Sequence, residues 1–390
     1  MKYSKATTKI LLLAAVMVVI QKFALALPAQ NIAQAQSKEV THSARISSTT
    51  GKVLLKRVDW SDFRPVAVGT ELNQGDQIKP NKGARVRVTC PNFYQPFIPA
   101  GVPSGLKSIC PVWQPIIFKA PPTSGTLGGT NSQIPYLITP RHSLVLSNTP
   151  SFTWNPVPNA TKYTVKLLAQ TEVVWQKQVN KSSTIYPGNP RLRAGTKYSL
   201  VITANTGKSS QDEGKLNLNF IVLNKSEIAA IQTEVTKIIK QEASQQVTAL
   251  MLANFYSRYT LPENTIQAYG LTAQNFKSYS LSADAIATIE ALLKQGKQSP
   301  IIYRSLGDIY WQAGLTQKAT ENYLMAIKLA KASEYLEEQT LALFALGEVY
   351  AATGNIKQAI NSYSQAKNGY ILLGDKKRVS LINQYLENLE

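Results

Sequence analysis

Two textures of hydrophobic patterning divide the chain near residue 225. Before it, apolar residues come in short runs: Val53-Leu54-Leu55, Val66-Ala67-Val68 and the alternating Ala84-Arg85-Val86-Arg87-Val88. Gly51, Gly69, Gly75 and Gly83 punctuate these runs, a pattern that predicts short antiparallel strands with one buried face. A second series follows: Phe152 with Trp154, Tyr163 with Val165 and Leu167, Trp175 with Val179, Leu200-Val201-Ile202, and Phe220 to Val222. That many strands at such spacing predict a β-sandwich. From Ser226 the period changes. Ile228, Ile231, Val235 and Ile238-Ile239, then Leu250, Leu252 and Tyr256, recur at helical spacing, with Pro262 as an interruption.

The helical part contains one pattern twice. Tyr303-x-x-Leu306-Gly307-x-x-Tyr310 leads to Ala319-x-x-x-Tyr323-x-x-Ala326; Leu343-x-x-Leu346-Gly347-x-x-Tyr350 leads to Ala359-x-x-x-Tyr363-x-x-Ala366. Twelve residues separate Gly307 from Ala319, and the same number separates Gly347 from Ala359. The pattern resembles the tetratricopeptide repeat, which implies two antiparallel helices per unit, with Gly admitting a neighbouring helix and Ala taking the complementary face. An earlier, degraded copy is expected between Asn264 and Gly296, from Tyr269, Ala273, Phe276 and Ala285, although Thr272 stands where the family has Leu. The two clear copies lie 40 residues apart, six more than the family period, so the helices around Lys331 to Glu338 are expected to be longer. Asp375 is expected to lead a capping helix with Leu381, Ile382, Tyr385, Leu386 and Leu389 on one stripe.

Two further resemblances concern the first part. Val68-Gly69-x-x-Leu72-x-x-Gly75-Asp76-x-Ile78 with Gly83-Ala84-x-Val86 resembles the FecR-type periplasmic domain. Leu192-x-x-Gly195-x-x-Tyr198 resembles the tyrosine corner of fibronectin type III domains, and Trp154 stands where their buried strand-B Trp would. The expected fold class is multidomain: two mainly-β modules followed by an all-α helical stack. Its expected segments are a signal peptide at 1–26 (cleavage as late as 35), a FecR-like β domain at 40–118 and a linker at 119–136. A fibronectin type III-like sandwich at 137–224 and helical repeats at 226–390 complete it. Trp154 and Trp175 also suggest stacking platforms for sugar rings, but both lie in apolar strand runs, which favours a core role.

Charge and the first residues bear on compartment and partner. Residues 1–225 hold 27 Lys and Arg against 8 Asp and Glu, whereas residues 226–390 hold 15 of each. Lys2, Lys5 and Lys9 precede an apolar run from Ile10 to Ile20, followed by Ala24-Leu25-Ala26 and Ala33-Gln34-Ala35. That is the pattern of a secretory signal peptide with cleavage sites, too short to span a bilayer, and it predicts an exported chain in the periplasm or cell envelope. In an oxidising space Cys90 and Cys110, the only cysteines, are expected to form a disulfide. Export makes nucleic acid an unsuitable partner for the basic half. An anionic cell-wall polymer suits it, and a solubilising lysine-rich face is the competing reading.

Candidate chemistry is sparse. With His42 and His142 as the only histidines, no nucleophilic triad is expected, and no phosphate loop, dinucleotide fingerprint or zinc motif is present. Asp76 reads as a turn-former and Glu337-Glu338 as a solvated helix face. No catalytic residue, cofactor or metal is expected. The family resemblance instead implies a concave groove lined by Ile301, Arg304, Asp308 and Trp311 from one copy and Leu341, Phe344, Glu348 and Ala351 from the next. Trp311 and Phe344 supply area there, and Arg304 clamps a carboxylate of a protein or peptide. Two plainer readings compete: Arg304 pairs with Asp308 four residues on, or the groove docks another part of the same chain. The expectation is a non-enzymatic exported scaffold, with glycan binding or envelope signalling as alternatives.

Overall fold

Alternation and glycine turns close the first part into two small sheets. A computed structural model describes residues 44–110, 127–214, 218–241, 243–269 and 279–389. The expected signal peptide and the segment 111–126, with the first half of the expected linker, lie outside the described residues. One sheet runs β4 (Glu71–Leu72), β1 (Ala44–Thr50), β6 (Arg85–Thr89), β7 (Phe97–Ile98); the other runs β3 (Arg64–Pro65), β2 (Val53–Lys56), β5 (Gln77–Pro80), β8 (Ser104–Gly105). Ile46, Leu55, Leu72, Ile78, Val86 and Val88 fill the space between them, with a short helix α1 (Leu106–Ile109) at one end. Cys90 and Cys110 form a disulfide inside this core.

The second β unit carries the strict two-residue period into its burial. In β12 (Tyr163–Ala169) and β15 (Lys197–Ala204) buried residues alternate with partly exposed ones, because one face packs inward and the other meets water. These strands belong to a five-stranded sheet ordered β10 (Ser143–Val145), β16 (Phe220–Val222), β15, β12, β13 (Glu172–Val179). A three-stranded sheet, β14 (Ser183–Ile185), β11 (Ser151–Trp154), β9 (Leu137–Thr139), completes the sandwich. Trp154 is 1% exposed in its core, and the half-buried Trp175 meets the Tyr186 ring edge-on at 5.4 Å. The Arg193 N–H donates to Tyr198 Oη at 2.8 Å.

Helices follow from Lys225: α2 (Lys225–Ile239), α3 (Gln245–Arg258), α4 (Glu263–Ala268), α5 (Ser282–Lys294), α6 (Pro300–Gln312), α7 (Thr316–Ala332), α8 (Leu336–Ala352), α9 (Ile356–Leu373) and α10 (Lys376–Glu387). Ser299 caps α6, accepting from Ile302 N, and Pro300 takes the first position, where a missing N–H costs nothing. The spacing between the two copies is explained by helix length: α7 and α8 have 17 residues each against 13 in α6. Asp375 caps α10 by accepting from Arg378 N at 3.0 Å, and Ile382 is fully buried. Among the described residues no helix is long and apolar enough to cross a membrane.

Two findings depart from the expected modular string. From residue 127 the expected linker is tied to the helices: Gly128 donates to Gly314 O and accepts from Thr316 N, while Ile134 and Tyr136 enter the helical core. Beside it, the fully buried Arg141 donates to Ala313 O at 3.1 Å and to Glu213 Oε2 at 2.9 Å, joining the sandwich to the turn between α6 and α7. The expected degraded repeat is also reassigned in part. Tyr269 follows α4 and turns to the sandwich, its hydroxyl accepting from Asn224 N at 2.9 Å; Ala273 and Phe276 lie outside the described residues. Ala285, fully buried in α5, packs in the same core as α6 and α7.

Candidate functional site

The skeleton of the two copies comes from a small residue facing a ring. A Cβ at Gly307 would stand 2.7 Å from the Tyr323 ring, and a Cβ at Gly347 would stand 2.6 Å from the Tyr363 ring. Real Cβ atoms do not approach that closely, so only glycine lets α6 meet α7, and α8 meet α9, at this distance. Ala319, Ala326, Ala359 and Ala366 are all fully buried, and Leu306, Leu346 and Tyr310 lie within the same packing. Tyr350 is half-buried at its edge. Residues that look interchangeable in composition thus hold one interhelical geometry twice.

On that skeleton Glu337, Leu341, Phe344 and Glu348 recur at four, three and four residues, which puts them on one face of α8. The two ends of this face differ. Phe344 stands 5.7 Å from both Tyr363 and Tyr385, between α9 and α10. Next to it Glu348 is half-buried, and its carboxyl is pushed up to about 7 by burial and by the neighbouring charge of Asp308. No cation pairs with Glu348 among the described residues. At the other end Glu337 is 5% exposed and takes a fork of bonds from Arg57, through Nε and through Nη2 at 3.0 Å.

The expected groove residues therefore fall into three groups. Ile301 is fully buried and Trp311 is 7% exposed, both inside the helical core, so neither meets an incoming peptide. Arg304 is engaged: it donates to Glu338 at 2.7 Å and to Asp308 at 2.9 Å, so it is not the expected carboxylate clamp. Asp308 also accepts from Tyr323 Oη at 2.9 Å, and burial raises its pKa against the pull of Arg304. Phe344 and Glu348, with Leu341 and Ala351 half-buried beside them, remain at the surface. Glu337 and Glu338 are corrected outright. They are 5% and 6% exposed rather than solvated, because Arg57 and Arg304 neutralise them.

What covers the first half of this inner face is the chain's own first β module. A Cβ at Gly69, whose φ is +93°, would stand 2.8 Å from Leu250 and 3.8 Å from Ile301, so the β3–β4 turn lies directly on α3 and α6. Glu71 pairs with Arg45 at 3.3 Å and with Arg258 of α3 at 3.5 Å. Asp76 is the turn-former expected, accepting from Asn73 N at 2.8 Å, but it also takes Arg57 Nη1 at 2.5 Å. Burial pushes the Asp76 carboxyl up to about 6, with Arg57 opposing. Nothing local in the sequence announces Arg57 and Glu337 as partners, since they lie 280 residues apart along the chain. The excess of basic residues was the one available signal.

No curated protein matches the chain. Among solved structures it is similar to BtubC (BKLC) from P. vanneervenii, at 19% identity and a TM-score of 0.30, over 42% of this chain and 65% of that one. It is similar to MamA at 17% identity and 0.24, over 43% and 86%. It is similar to the FN1-FN3 domains of chicken CNTN1 at 15% and 0.16, over 47% and 66%. The alignments with BtubC and with the CNTN1 domains each span just under two thirds of those chains. Residues 298–371 match the family model of the tetratricopeptide repeat, the stretch that runs from α6 into the last turn of α9. The helical pairs α6–α7 and α8–α9 are tetratricopeptide repeats.

Proposed function

We propose that the chain is a non-enzymatic scaffold of the periplasm or cell envelope. It holds a protein or peptide partner on the inner face of its second repeat. Tetratricopeptide repeats are a protein-interaction fold, and the observation that carries this reading is Glu348, which has no cation partner among the described residues, beside the aromatic cluster of Phe344, Tyr363 and Tyr385. A half-buried carboxylate next to rings suits a lysine or arginine side chain, through a charge-assisted hydrogen bond and a cation–π contact together. The partner's anchor is thus basic, the reverse of the carboxylate expected from Arg304.

Export rests on the first 26 residues, and the two β modules are read as FecR-type and fibronectin type III-like. The Tyr198 bond and the three-against-five strand arrangement support the second assignment. Of the basic half, Arg45, Arg57 and Arg141 are engaged inside the molecule and are not available to a polymer. The test is capture from an envelope extract by the full chain, set beside the F344A/E348R variant. A partner retained by wild type and lost by the variant supports the proposal; an identical captured set refutes it.

A further inference from the structure

The contact between the first β module and α8 is built as a ligand in a site. Arg57 and Trp60 bracket a tight turn closed by Trp60 N–H donating to Arg57 O at 3.1 Å, and the Arg57 guanidinium lies 5.7 Å from the centre of the Trp60 ring. The arginine forks onto Glu337. Trp60, 3% exposed, enters a cluster of Leu343, Tyr363, Tyr370 and Leu373 from α8 and α9. Backbone joins in: Ser61 N–H donates to Leu373 O at 3.3 Å, and Arg64 Nη2 to Leu372 O at 2.5 Å. A charged anchor, an aromatic anchor in a pocket and main-chain bonds at the rim are the parts of a protein-recognition site.

One observation shows a cost borne by this occupant. Among the described residues the Trp60 indole N–H is buried without an acceptor, and such an orphan weakens the contact that holds it. It belongs to the turn and not to the helices. A turn from another molecule whose ring carries no unpaired N–H would displace this one, provided it overcame the advantage of tethering, which corresponds to roughly millimolar effective concentration.

We propose that the end of the repeats formed by Glu337, Leu343, Tyr370 and Leu373 is a binding site for a protein turn presenting an arginine stacked on an aromatic ring. The chain's own Arg57–Trp60 turn occupies it as a tethered competitor. This deepens the preceding reading: the same face of α8 reads cations beside rings at both ends, one end filled from within and the other open.

The probe is a fluorescein-labelled peptide of residues Leu55–Pro65, titrated by anisotropy into the full chain. Wild type, R57Q/W60A and R57Q/W60A/E337R are compared, with thermal unfolding by circular dichroism as the check on folding. The peptide is expected to bind R57Q/W60A at least about tenfold more tightly than wild type, and the added E337R to remove at least about tenfold of that gain. Equal affinity for wild type and R57Q/W60A, or binding indifferent to E337R, overturns the proposal. Should the double variant not fold, R57Q alone carries the same comparison. The assay needs no envelope partner. A chain that captures nothing from extract yet shows this pattern refutes only the scaffold reading. Capture that is equal in wild type and R57Q/W60A, with no peptide gain, refutes only the competitor.

Discussion

In the first repeat the inner-face positions hold Arg304 and Asp308; forty residues on, the same positions hold Phe344 and Glu348. The first pair closes on itself and on Glu338, and Tyr323 adds a bond to Asp308. The second leaves its carboxylate beside rings with no cation among the described residues. Beneath both, glycine meets a tyrosine ring at nearly the same distance, 2.7 and 2.6 Å from where a Cβ would stand, and the four alanines are all fully buried. The scaffold and the face it presents are thus set by separate residues, and each can be altered without the other.

The largest effect is expected where the first repeat's charge is unbalanced. Glu338→Ala strips the bidentate partner from the largely buried Arg304 and should lower unfolding free energy by about 3 kcal/mol in urea denaturation. Glu348→Gln, its contrast, should leave stability at neutral pH unchanged or raise it, since no cation is orphaned.

Next come the skeletal glycines. Gly307→Ala and Gly347→Ala should each cost about 1–3 kcal/mol by overpacking against Tyr323 and Tyr363, and by similar amounts. A large cost at one and none at the other would break the equivalence of the repeats.

The pH dependence sharpens the contrast further. Glu348's folded pKa of about 7 lies above the ordinary glutamate value of 4.5, so the fold favours the protonated acid. That contribution is complete below pH 4.5 and is lost as pH rises through 7. Wild type should therefore lose about 1–2 kcal/mol relative to E348Q across that window, followed by melting temperature at fixed ionic strength. The smallest effect separates the two tyrosines. Tyr323→Phe should cost about 1 kcal/mol through its bond to Asp308, and Tyr363→Phe less, since it makes no counterpart bond among the described residues.

What could be read from the sequence follows the range of the interactions. The Gly–Ala–Tyr skeleton was legible because each repeat encodes its own contacts within a few turns, and two copies in register reinforce one another. The disulfide was legible because only two cysteines exist. The Arg304–Asp308 pair was one of two readings left open, and its spacing on one helix made it so. The burial of Ile301 and Trp311 was not legible, since a family's inner positions do not say what the rest of the chain packs there: Gly69 lies against Ile301, and both residues share a core with Ile134 and Tyr136. Glu337 and Glu338 misled for the same reason. A pair of adjacent carboxylates at the start of a helix is ordinarily wet, and only the fold brings arginines to them. Tyr269 kept its spacing but turned to the sandwich, where Asn224 offers a donor.

The central claim is that Glu348 contacts a basic side chain of a partner. Carbodiimide coupling of the captured complex, mapped by mass spectrometry, tests it at the residue itself. The account predicts an amide between Glu348 and a lysine of the partner, absent when Phe344 is replaced by Ala. Cross-links confined to residues 44–225, with Glu348 untouched, would contradict it.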